Sequence, residues 1–117
     1  MEFFSTSNSI LNALIILLDN GVSSSKLISM NPKISQDLIK TISERSTACL
    51  VSDLYAKLFR GHRDEICNQK ELNMSLKECS ILWWTPIVNA LESTDRLKRS
   101  YIYEVLFNLM ITDLFFL

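Results

Sequence analysis

Glycine and proline are scarce in this sequence, with two of each among 117 residues. That scarcity disfavours an all-β domain, which needs many tight turns. Histidine is rarer still. His62 is the single one, and with no glycine-rich phosphate loop, nucleophile elbow or closely paired metal ligands the chain carries no catalytic motif. The expectation is therefore a protein that is not an enzyme and that uses no cofactor. Charge of one sign is also lacking. A formal net charge of −1 gives no long-range field to draw the chain to nucleic acid or to an anionic membrane, so direct nucleic-acid binding is not expected.

Cysteine is present only as Cys49, Cys67 and Cys79. An odd count, behind an N-terminus (Met1, Glu2, Phe3, Phe4) that lacks the basic region of a secretory signal, points to a reducing cytoplasmic or nuclear setting. Long hydrophobic runs are missing too. Residues 10–18 are too few to cross a hydrocarbon layer of about 30 Å, and residues 101–117 include Glu104, Asn108 and Asp113, so no transmembrane segment is expected.

What is abundant is apolar surface at helical spacing. Hydrophobic residues make up 48% of the chain and charged residues 21%, a balance that disfavours disorder and fits one all-α domain over residues 1–117. A first helix is expected from Ser7 or Asn8 to Asp19, with Gly21 as its left-handed stop. Residues 23–30 make a short second helix, because Pro32 pushes Asn31 out of the helical region. Ile34, Leu38 and Ile42 open a further helical stripe, continued by Leu50, Leu54, Leu58 and Phe59 until Gly61, with residues 43–46 either a turn or an exposed side. Residues 62–74 are the most polar stretch and read as a loop between helical hairpins. Ser75 with Glu78 has the spacing of a capping box, opening a helix that carries Leu76, Ile81, Leu82 and Trp83. Pro86 then kinks this helix or, with Thr85 as cap, begins a new one. Ser93, Thr94 and Asp95 offer caps to a last helix whose apolar face includes Leu97, Tyr101, Ile102, Val105, Leu106, Leu109 and Met110.

Residues 86–110 resemble a HEAT repeat, the paired-helix unit of α-solenoids, through Pro86, Ile87, Leu91, Asp95, Leu97 and Lys98, followed by Val105, Leu106 and Leu109. A second copy over residues 32–59 would use Pro32, Leu38, Ile42, Arg45, Ala48 and Leu54. The resemblance implies antiparallel helical hairpins forming an α-solenoid fragment, which could be one piece of a larger solenoid protein. The alternative architecture is an irregular helical bundle.

Candidate sites are few. His62, Cys67 and Cys79 are too widely spaced for a zinc site, which shows ligand pairs two to four residues apart. They read as a surface histidine, a loop cysteine and a core cysteine, and Cys49 beside Leu50 reads as a small core residue. Arg60, His62 and Arg63, and again Arg96, Lys98 and Arg99, are basic clusters interleaved with acids, the pattern of solvated helix ends. Trp83 and Trp84 project about 100° apart on a helix, so one of them is a candidate for an interface. Phe115 and Phe116 are candidates for the same role, since uncapped apolar ends invite a protein partner or a homo-oligomer. The functional expectation is a protein–protein interaction module or scaffold presenting a helical surface. One alternative is a viral Bcl-2-like bundle holding a partner helix, and another is an accessory subunit of a nucleic-acid-modifying complex.

Overall fold

The computed structural model of the chain describes residues 2–68 and 75–114, with side chains over residues 8–68 and 75–112. Every element among them is a helix: α1 (Glu2–Asp19), α2 (Ser24–Met30), α3 (Ile34–Thr41), α4 (Arg45–Asn68), α5 (Leu76–Ala90) and α6 (Arg96–Leu114). The all-α class expected from the sequence is what the structure shows.

Local chemistry sets most of the boundaries. Gly21, at φ +93°, provides the left-handed turn after α1 that a side chain would strain. Ser23 opens α2 by accepting the Lys26 N–H at 3.2 Å. Ser75 opens α5 by accepting the Glu78 N–H at 3.1 Å. Asp95 Oδ1 opens α6, accepting the N–H groups of Leu97 and Lys98 at 3.0 and 3.3 Å. Each cap satisfies donors that a helix start leaves free.

The long helix α4 is the axis of the molecule. Thr47, Ala48, Val51, Leu54, Tyr55, Leu58, Phe59 and His62 are all buried on it, a stripe too broad for one neighbour to cover. All five other helices pack against it. Helix α6 lays Ile102, Val105 and Leu109 on α4, and polar bonds fix its register: Asn108 Nδ2 donates to Ser52 Oγ at 3.0 Å, and Ser52 Oγ donates to the Glu104 carbonyl at 3.4 Å. On the α1 side, Thr47 Oγ1 donates to Asn8 Oδ1 at 3.1 Å and Lys57 pairs with Asp19 at 2.9 Å.

Several boundaries differ from the expectations, beginning with α1, which starts at Glu2 and not at Ser7 or Asn8. The polar stretch is not a loop from residue 62: α4 runs through Gly61 to Asn68, and residues 69–74 lie outside the described part. Gly61 does not stop the helix because it is needed inside it. A Cβ built there would sit 2.3 Å from Ser24 Oγ, so the bare backbone is what lets α2 approach α4 so closely. The approach is held by Glu65, whose Oε1 and Oε2 accept the Ser24 and Ser25 N–H groups at 3.0 Å each. A carboxylate from another helix thus satisfies the start of α2. Pro86, expected either to kink the helix opened at Ser75 or to begin a new one, does not begin a helix and does not lie early in one. It sits inside α5 near its C-terminal end. Lacking an amide hydrogen, it leaves the Leu82 carbonyl without its usual partner, and Ser35 Oγ of α3 donates to that oxygen at 3.2 Å.

Candidate functional site

Helix α3 is a ridge between two concave surfaces. Ile34, Asp37, Leu38 and Thr41 face one, and Gln36, Ile39 and Lys40 face the other, a division that follows from helical spacing. The first groove, of about 420 Å³, lies between α1, α2 and α3; Leu11, Leu27, Ile34 and Leu38 are its buried lining, while Ile10 and Met30 stand exposed beside them. Its one lining acid, Asp37, accepts a hydrogen bond from Asn31 Nδ2 at 3.1 Å.

The second groove, of about 600 Å³, lies between α3 and α5 and reaches the first turn of α6. Buried Ile39 and Pro86 form apolar lining, with Leu82 and Ala90 half-buried and Ile81 54% exposed. Gln36, Thr85 and Asn89 add neutral polar groups, and Lys40 and Lys98 are the charged ones. Four successive apolar residues, Ile81, Leu82, Trp83 and Trp84, cannot all face one core stripe on a helix. Trp83 takes the core position and Ile81 is left in the open groove.

Of the two tryptophans, Trp83 is the core residue and does not offer its ring to an interface. It is 0% exposed, because α4 supplies partners for both its ring and its backbone. Trp83 Nε1 donates to His62 Nδ1 at 3.0 Å, the Tyr55 hydroxyl donates to the Trp83 carbonyl, and the Tyr55 ring stands edge-on to the indole at 5.0 Å. Trp84 is half-buried against the core. The other two interface candidates, Phe115 and Phe116, lie outside the described residues.

The structure also corrects the readings of three possible reactive groups. His62 is a buried residue, not a surface one, at 4% exposure. Cys49 is exposed rather than in the core, with its thiol donating to Glu104 Oε1 at 3.4 Å. Cys79 is buried as expected, and its Sγ lies 3.6 Å from His62 Nδ1. This pair does not have the chemistry of a thiolate nucleophile and its base. Burial pushes the Cys79 thiol up to about 11, and burial also lowers the His62 pKa, against the opposing charge of Glu65. Because an indole N–H can only donate, Nδ1 of His62 must be the unprotonated nitrogen and is already occupied. Cys67 is exposed, unlike the buried pair, and lies in the last turn of α4 where a loop was expected. Among the described residues no group of three or more potential metal ligands comes together, and no helix is long and apolar enough to cross a membrane.

No protein-family model, curated protein or solved structure matches this chain.

Proposed function

We propose that this chain is a non-enzymatic interaction module whose helical bundle receives an amphipathic helix from a partner protein in the groove between α3 and α5. The observation that carries this reading is the open apolar trough of about 600 Å³ in which Ile81 stands half in solvent beside buried Ile39 and Pro86. Such a surface fits the helix-in-groove mode, where apolar anchors three and four residues apart enter a groove and the bound backbone satisfies its own hydrogen bonds. The other common modes fit less well. Strand addition needs a sheet edge, and the described residues are helical. Polyproline docking uses an aromatic-lined groove, and this lining has no aromatic residue.

The position of α4, with all five other helices against it, supports a Bcl-2-like bundle over a stack of hairpins. The HEAT-like reading of the α5 and α6 hairpin leads to the same role, a helical surface for a partner. An accessory subunit of a larger complex would differ only in what the partner does. Free thiols at Cys49, Cys67 and Cys79 support action in a reducing cytoplasm or nucleus.

The test is co-purification of partners on the intact chain and on Ile81→Asp, followed by titration of the captured partner's helical segment as a synthetic peptide. The expected result is direct binding of the peptide to the native chain and its loss on Ile81→Asp. A partner that binds both proteins equally, or only through a non-helical segment, would refute the reading.

A further inference from the structure

The groove between α3 and α5 has a one-sided charge. Lys40 and Lys98 line it with no acidic residue. Neither is held in an ion pair among the described residues, where Lys57 is paired with Asp19. The two lysines come from different helices, Lys40 from the last turn of α3 and Lys98 from the first turn of α6. A cation suits the end of a helix but not its start, where the helix dipole is positive. Asp95 offsets part of that disadvantage by capping α6. Local helix stability therefore gives a reason for Lys40 but none for Lys98, and Lys98 lines the same groove. The neighbouring groove differs: its charged lining residue is the acid Asp37.

We infer that the groove selects an acidic amphipathic helix, whose apolar side chains pack on Ile39, Ile81 and Pro86 and whose Asp or Glu carboxylates pair with Lys40 and Lys98. This rests on the helix-binding reading of the same groove. Apolar contacts anchor the ligand, and the lysines choose among amphipathic helices by charge. Unlike-charge contact speeds encounter, whereas a basic helix would bring like charges together beside an apolar, poorly hydrated surface.

The test uses fluorescence anisotropy on the full chain with two labelled helical peptides of about 16 residues, roughly 24 Å long. They share one leucine and alanine face and differ only in carrying glutamates or lysines along its flanks. The acidic peptide is expected to bind about tenfold or more tightly than its basic twin, and to weaken as salt is added. The double variant Lys40→Glu with Lys98→Glu should reverse the order. Both lysines lie outside the core, so circular dichroism should report an unchanged fold. Ile81→Asp should remove binding of both peptides.

Equal binding of the twins, or a preference unchanged in the double variant, would overturn the acidic partner while leaving the groove as a helix site. Binding of neither peptide, or binding indifferent to Ile81→Asp, would overturn both readings. Attachment to phosphatidylglycerol vesicles in place of the acidic peptide would assign the lysines to a membrane surface and overturn the inference.

Discussion

Ser35 on α3 donates its hydroxyl hydrogen to the carbonyl of Leu82 on α5, the acceptor that Pro86 leaves without an amide. Ser35 is 1% exposed, so water cannot readily replace it. Its removal should strand a part-buried carbonyl, at a cost of about 1 kcal/mol. Ser35→Ala is therefore expected to lower the denaturation midpoint, and to cost measurably less in a Pro86→Ala background, where the substituted residue brings an amide of its own. Equal costs in the two backgrounds would show that the serine and the proline are not coupled.

The contact between Trp83 and His62 makes stability depend on pH. Burial lowers the His62 pKa below its ordinary 6.5 in the folded chain, so the unfolded chain binds the proton first as pH falls. The His62 contribution should be level above about 6.5 and decline below it, as the proton that occupies Nδ1 removes the acceptor for the indole N–H. Glu65 acts lower on the scale. Burial pushes its carboxyl up, but the side chain and amide of Ser25, the side chain of Ser23 and the Ser24 amide together favour the charged form and hold it below 4.5, and that contribution is lost in more acid solution. Urea unfolding at pH 7.5 and 5.5 separates the two. His62→Gln keeps an acceptor but does not titrate, and should remove most of the difference between these two pH values. A variant as pH-sensitive as the parent would assign the dependence elsewhere.

Gly61→Ala tests why a glycine sits inside α4. In an exposed helix this change would stabilise by about 1 kcal/mol. Here the new Cβ would meet Ser24 Oγ at 2.3 Å and Ser24 Cβ at 3.3 Å, an overpacking expected to cost about 1–3 kcal/mol. The variant should be no more stable than the parent, and combining it with Ser24→Gly should recover part of the helix gain. Stabilisation by Gly61→Ala alone would mean that α2 moves away at no cost.

The same residues show where sequence patterns reveal the fold and where they do not. Gly21, Ser75 and Asp95 act through bonds or dihedral angles within a few residues, so their caps and turns are readable from the chain alone. Gly61, His62 and Pro86 depend on partners far along the chain: Ser24 for the glycine, Trp83 for the histidine and Ser35 for the proline. Without those partners a glycine and a polar run look like a helix end, and a proline looks like a helix start. The groove is hidden for a related reason. Lys40, Ile81 and Lys98 come from three helices, and Lys98 alone resembles an ordinary solvated helix terminus. The four-residue apolar run from Ile81 to Trp84 is the one local sign that something apolar must remain outside.

Helix α6 is apolar on both sides, and a pair of substitutions separates its two faces. Leu109 is buried completely against the core, while Phe107, only two residues earlier, is 66% exposed. A two-residue step turns a helix by about 200°, which puts the two side chains on opposite surfaces. Leu109→Ala should cost about 2–5 kcal/mol, whereas Phe107→Ser should change stability by no more than about 0.5 kcal/mol. Leu106 is half-buried, so Leu106→Ala should fall between them. Thermal and urea unfolding of the three variants measures the order directly. If Phe107→Ser proves as damaging as Leu109→Ala, the outer face of α6 is covered in solution, and the packing of α6 on α4 is not the whole of its environment.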